Sequence, residues 1–152
     1  MKLEVVVLAA GKGTRMRSAL PKVLHLVAGK PMLSHVLESA QKLSPDHIHV
    51  VCGHGADQVR EYFSHDPTIN WIFQAEQMGT GHAVCQALPD ISTQSTVLVL
   101  YGDIPLILPG TLQRLTDEAR DGSLALLSAS FDNPHGYGRV VRDSDNAICA
   151  IV

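Results

Sequence analysis

The sequence predicts an α/β fold, a three-layer sandwich around a mostly parallel sheet. Three observations lead there. Apolar, β-branched runs alternate along the chain with segments of helical periodicity, the pattern of helices packed on a parallel sheet. From Val5 to Ala10 the first run is continuously apolar, as a strand buried on both faces is. The ends of successive runs read "LAAGKG", "CGHG", "QAEQMGTG" and "YGD", so glycine and polar residues collect at the carboxyl ends, where such sheets bind ligands.

Residues 3–10 form the first strand. Residues 31–43 place Met32, Leu33, Val36, Leu37, Ala40 and Leu43 on one helical stripe, with Pro31 suited to the first turn. Residues 47–52 are a second strand ended by "GHG", and residues 56–64 a short helix with Val59 and Phe63 on one side. "NWIFQ" is a third strand and "GTGHAVCQAL" opens a helix after a glycine turn. "TVLVLYGD" is a fourth strand; residues 111–120 carry Leu112, Leu115 and Ala119 at helical spacing, with Gly122 as the stop. "LALLSASF", residues 124–131, reads as a fifth strand. "GRVVRDSDNAICAIV" reads as two strands around Asp143-Ser144-Asp145-Asn146.

The 152 residues, 45% hydrophobic and 18% charged, suit one globular domain. A net charge of −3 argues against a general nucleic-acid binder. Yet residues 5–37 hold five basic residues, Lys12, Arg15, Arg17, Lys22 and Lys30, and no acidic one. Local positive charge in an acidic chain suits a small polyanion. Cys52, Cys85 and Cys149 are odd in number and widely spaced, which disfavours a disulfide framework or cysteine zinc site. The first apolar stretch is too short to span a membrane and has no signal-peptide cleavage pattern, so the expected location is the cytoplasm. His47 and His49 alternate on one strand face and His54 follows in "GHG", but nothing in the spacing completes a zinc ligand set, leaving packing and solvent contact as their default reading. Trp71 and Met32 read as core.

The loop "GKGTRM" has Met16 where a dinucleotide fingerprint needs glycine or alanine, and no G-x-x-x-x-G-K-[ST] is present. What remains is a strand, a glycine turn and a helix start, whose backbone N–H groups suit phosphate oxygens. Arg15 adds a planar fork and Lys22 a point charge. The string "LAAGKGTRMRSALPKVLHLVAGKPM" resembles the signature of the sugar-1-phosphate nucleotidyltransferases. The resemblance implies a Rossmann-like nucleotide-diphospho-sugar transferase fold. It also implies a nucleotide cradle of Leu8, Ala9, Ala10, Gly11, Lys12, Gly13 and Lys22, with Arg15 and Lys22 neutralising phosphates during catalysis.

A uracil edge carries carbonyl acceptors and one N–H donor, which a side-chain amide can meet. Gln74, at the end of the third strand, is placed for that, and Gly79 allows close backbone approach. "QAEQMGTGHA" is similar to the N-acetylglucosamine-1-phosphate uridyltransferases, which implies that Gln74, Gln77, Gly79 and Thr80 line the nucleoside pocket. Asp103 at the end of "YGD" is a candidate Mg²⁺ ligand, because Mg²⁺ takes one or two carboxylates plus phosphates and water. By the same resemblance Tyr101 and Gly102 stand beside the sugar, and Gly138 of "GYGR" lets the acetylated sugar lie against the main chain.

The implied reaction joins UTP and N-acetylglucosamine 1-phosphate into UDP-N-acetylglucosamine and pyrophosphate, with Mg²⁺ as cofactor, for bacterial peptidoglycan and lipopolysaccharide synthesis. In similar enzymes the transferase domain continues past residue 152 and supplies more sugar contacts and a second metal ligand. A left-handed β-helix acetyltransferase domain then makes them homotrimers. Residues 1–152 are therefore expected to be the N-terminal part of a transferase domain, weakly active or inactive alone. Two other readings stay open: a cytidylyl- or guanylyltransferase sharing the first loop, and a non-catalytic nucleotide-binding module.

Overall fold

The structure, a computed structural model, describes residues 2–11, 13 and 16–152. Strand β1 (Leu3–Ala9) leads, past a 3-10 turn at Lys22–Leu24, into a hairpin of β2 (Leu26–Val27) and β3 (Lys30–Pro31). Next come α1 (Met32–Gln41), β4 (His47–Cys52), α2 (Ala56–Tyr62), β5 (Ile69–Phe73), α3 (Thr80–Ala87), β6 (Thr96–Tyr101) and α4 (Pro109–Glu118). A second hairpin, β7 (Val140–Arg142) and β8 (Ile148–Ile151), follows. The main sheet has the order β5-β4-β1-β6, and all its pairings are parallel. The chain steps outward from β1 to β4 to β5, then returns to the other side of β1 as β6.

Alternate residues of β1 serve opposite layers. Val5, Val7 and Ala9 pack with Leu33, Val36 and Leu37 of α1, Val59 of α2 and Leu112 of α4. Val6 faces the other way, onto Ala83 and Ala87 of α3. Two-sided burial explains why the first strand reads as one apolar run.

Glu4 breaks that run and is nevertheless buried, at 2% exposure. Its Oε1 accepts hydrogen bonds from Ser92 N (3.0 Å) and Ser95 Oγ (2.7 Å), and its Oε2 from His49 Nε2 (2.9 Å). Asn70 Nδ2 donates both to His49 Nδ1 (3.0 Å) and to the Asp90 carboxylate (3.1 Å). The chain of donors leaves His49 with its proton on Nε2. Burial alone would raise the Glu4 pKa, but the bonds from Ser95, His49 and Ser92 outweigh it and hold the carboxyl at about 2 instead of 4.5. His49 is thus a paired core residue and not a solvent contact, whereas His47 is exposed.

Three sequence expectations need correction. Residues 124–131 form no strand, and Leu124, Leu127 and Phe131 are exposed. They have apolar composition but no ladder partner, and a strand needs one for its backbone groups. Pro31 closes the β2–β3 hairpin and caps α1 from outside its first turn. That hairpin was not foreseen; its turn uses positive φ at both Ala28 (50°) and Gly29 (82°), the primed geometry that suits tight hairpins. Met32 is core as expected, while Trp71 is half-buried beside Phe63.

Strand β6 is an edge of the sheet, with Val97 and Val99 exposed on it. Apolar edges template further pairing. The wild-type chain is expected to self-associate with rising concentration in sedimentation velocity, and Val99→Lys to shift it toward monomer. Unchanged association in that variant would move the contact elsewhere.

Candidate active site

The strand order reverses between β1 and β6, and a crevice opens at the carboxyl ends there. A cleft of about 270 Å³ occupies it, close to the lower end of the roughly 300–1,000 Å³ of small-molecule sites. Leu8, Ala9, Ala10 and Gly11 form the β1 side, and Lys22 and Val23 come from the 3-10 turn. Gln74, Gln77, Gly79, Thr80 and Ala83 come from the path between β5 and α3, and Tyr101 and Asp103 from the end of β6.

Each segment is positioned by the fold. Gln74 N donates to Cys52 O at 2.7 Å, continuing the β4–β5 ladder by one step and placing the Gln74 side chain in the cleft. Gln77 Nε2 donates to the Ala10 carbonyl, which ties the loop after β5 to the turn after β1. Gly102 N donates to Leu8 O at 2.9 Å. A Cβ on Gly102 would meet Leu8 O at 3.2 Å and Leu33 Cδ1 and Val23 Cγ1 at 3.3 Å. Gly102 is therefore a close-approach position that seats the end of β6; it is buried and does not line the cleft.

Lys22 Nζ donates to Asp103 Oδ2 at 2.5 Å, with both side chains about one-third exposed (36% and 32%). The cation and the carboxylate expected from sequence to serve phosphate and metal are thus paired with each other across the cleft. Gly13 supports Lys22 from behind: its φ is +57°, and a Cβ there would lie 3.0 Å from Lys22 Cβ. Gly13→Ala is expected to lower nucleotide affinity by displacing Lys22, at a further cost of about 1 kcal/mol for a left-handed alanine. Calorimetric titration checks this; unchanged affinity would clear the loop of that role.

Other sequence-derived positions stand apart. Gly138 lies beside the β7–β8 hairpin, where a Cβ would meet Ile151 Cγ2 at 3.1 Å, and it does not line the cleft. Lys12 and Arg15 lie outside the described residues. Cys52, at the end of β4, is buried, and burial pushes its thiol up to about 12, so it stays protonated and is no nucleophile. Sequence reasoning missed His82 and Gln86. They occupy successive turns of α3, and His82 contacts Gln74; their i, i+4 spacing, beginning directly after "GTG", was the available signal.

The donor set can be tested against a divalent cation. Among the described residues no group of three or more His, Cys, Asp or Glu side chains gathers. A single carboxylate beside an open cleft does not make a resident metal centre, but it fits a cation that arrives with phosphate oxygens and water. Among the described residues no helix is long and apolar enough to cross a membrane.

Known proteins bear on this site. The chain is 60% identical over all its 152 residues to the bifunctional protein GlmU of Pseudomonas syringae pv. syringae, and it spans 33% of that relative's length. Its fold is similar to that of HddC from Yersinia pseudotuberculosis, with a TM-score of 0.77 at 24% identity, over 98% of this chain and 68% of that one. It is also similar to Rv0371C of Mycobacterium tuberculosis, solved in complex with manganese, with a TM-score of 0.66 at 26% identity, over 78% of this chain and 60% of that one. The parallel sheet with flanking helices is that of the nucleotide-diphospho-sugar transferases. A family model matches residues 5–144, from within the first buried strand to the turn of the last hairpin. On that match the chain belongs to the family of MobA-like NTP transferase domains.

Proposed function

We propose that this chain carries the nucleotide-binding part of a uridyltransferase that joins UTP and N-acetylglucosamine 1-phosphate into UDP-N-acetylglucosamine and pyrophosphate. The observation that carries the reading is the convergence of Gln74, Gln77, Lys22 and Asp103 on one cleft at the strand ends. Identity of 60% to a GlmU protein across the whole chain supports it, as does the string "QAEQMGTGHA".

In the proposed reaction an anionic oxygen of the sugar phosphate attacks the α-phosphorus of UTP in line. The new P–O bond forms as the bond to the β-phosphate oxygen breaks, and the electron pair leaves on pyrophosphate. The nucleophile is already ionised at neutral pH, so no general base is needed. Catalysis rests on positioning and charge neutralisation. Gln74, Gln77, Gly79 and Thr80 hold the uridine; the turn after β1, with Lys12 and Arg15, surrounds the phosphates. Lys22 exchanges its Asp103 partner for phosphate oxygens. Asp103 would hold Mg²⁺, which supplies charge neutralisation on the triphosphate. Tyr101 stands on the sugar side with Gly102 seating it, and Gly138 joins them on its motif alone.

The test is single-turnover product analysis with protein in excess, offering UTP, CTP or GTP with N-acetylglucosamine 1-phosphate and Mg²⁺. UDP-N-acetylglucosamine as the main product is expected. Preferred use of CTP or GTP would assign the chain to a sister transferase. Tight nucleotide binding with no transfer would favour a binding module.

A further inference from the structure

We propose that His82 is a positioning residue that decides which atom of Gln74 meets the nucleotide base; the inference rests on the uridine reading above. Gln74 is 3% exposed and lines the cleft. Its Nε2 lies 2.9 Å from His82 Nδ1 and 3.5 Å from the Gly79 carbonyl oxygen. On the far side of the ring, His82 Nε2 lies 3.1 Å from Gln86 Nε2.

A neutral imidazole has one N–H and one lone-pair nitrogen. It cannot accept from both amides, so one amide must present its oxygen instead. Gln86 is only half-buried. Its amide can turn over and accept from His82 Nε2–H, exchanging a 3.5 Å bond from its Nε2 to the His82 carbonyl oxygen for hydration of its NH₂. That exchange is open to Gln86 because it reaches water and closed to Gln74 because it does not. Gln74 is buried and has a carbonyl, that of Gly79, beside its nitrogen. Its two amide hydrogens are taken by the His82 lone pair and by Gly79, and the ring proton resides on Nε2. Among the described residues nothing donates to Gln74 Oε1, so the oxygen is what Gln74 offers the cleft.

An oxygen at that point selects by sign. Uracil presents N3–H, a donor that Oε1 accepts; cytosine presents a lone pair at N3, which Oε1 repels. If the amide were reversed, its NH₂ would favour cytosine. The preference then depends on a side chain that never touches the base, because a buried polar atom of the wrong sign has no other partner.

Two measurements test this on the whole chain. Long-range ¹H–¹⁵N NMR is expected to show His82 protonated at Nε2 with a lone-pair Nδ1; the opposite tautomer overturns the inference without any ligand. The second is calorimetric titration with UTP and CTP in Mg²⁺, on wild type, His82→Leu and His82→Asn. His82→Leu is expected to shrink the UTP-over-CTP affinity ratio about tenfold, the weight of roughly one hydrogen bond. His82→Asn places an amide oxygen near the position of Nδ1 and is expected to restore most of the ratio. A structural role alone would weaken both nucleotides equally and leave the ratio intact. A wild-type preference for UTP that survives His82→Leu overturns the role of His82 only. A wild type that binds both nucleotides equally, or neither, overturns the uridine reading and this inference with it.

Discussion

Lys22→Ala is expected to slow uridylyl transfer by about 10²–10³-fold, the scale seen when one transition-state charge stabiliser is removed. Two effects act in the same direction. On the proposed reaction, the variant loses the ammonium assigned to the triphosphate as charge moves onto the leaving pyrophosphate. It also leaves the Asp103 carboxylate, now 2.5 Å from Lys22 Nζ, unopposed in a cleft that must admit an anion. Asp103→Ala is expected to cost at least about 10²-fold for the complementary reason, and its residual activity should respond less to Mg²⁺ concentration. Single-turnover release of pyrophosphate reads both. Rates within a few-fold of wild type in either variant would remove that residue from the chemistry. The ion pair also predicts an order of events, because the carboxylate is committed to Lys22 until phosphate draws the ammonium away. Mg²⁺ alone is therefore expected to bind weakly, and more tightly once nucleotide is present.

Glu4→Ala is expected to destabilise the fold by about 3 kcal/mol, the scale of losing hydrogen bonds to a buried charged group, lowering the melting temperature by roughly 10 °C for a chain of this size. The loss does not come from a missing apolar contact. Ser92 N, Ser95 Oγ and His49 Nε2 all donate to this carboxylate; His49 would be left buried without its acceptor, while Ser95 is half-buried and Ser92 exposed and can turn to water. The stabilisation also depends on pH. Because the folded state holds the Glu4 pKa at about 2, below its ordinary 4.5, this contribution is complete above pH 4.5. It is lost as pH falls toward 2. Denaturant midpoints measured from pH 7 down to pH 2.5 check the sign. The gap between wild type and Glu4→Gln is expected to be largest near neutral pH and to close at the acid end. A gap independent of pH would mean that Glu4 acts through shape and not through charge.

Strand and helix were legible wherever one local cause sufficed. The apolar run of β1 and the stripe Met32, Leu33, Val36, Leu37 and Ala40 on α1 each follow from a single periodicity, and both are buried as that periodicity requires. Residues 124–131 lack such a single cause. Their composition suits a strand, but a strand is a relation between two segments, and here no ladder forms. Glu4 shows the converse: its charge argues for solvent, yet three donors from distant parts of the chain make burial favourable.

The site divides along the same line. Which side chains line the cleft was largely legible in the strand-end strings "LAAG", "QAEQMGTG" and "YGD", since each couples a strand end to a turn and to the side chains that follow it. Gly102 was legible as important but not for its reason, because close approach to Leu8, Leu33 and Val23 involves residues far apart in sequence. The linear order of residues was enough for the fold class, the strand-end location of the cleft and the chemistry collected there, since these follow from periodicity and short-range turn chemistry. The pairing of Lys22 with Asp103, the orientation that His82 imposes on Gln74 and the burial of Glu4 with His49 were decided only in three dimensions. Each is a hydrogen bond between groups on different elements, and its sign and geometry depend on where the sheet places them.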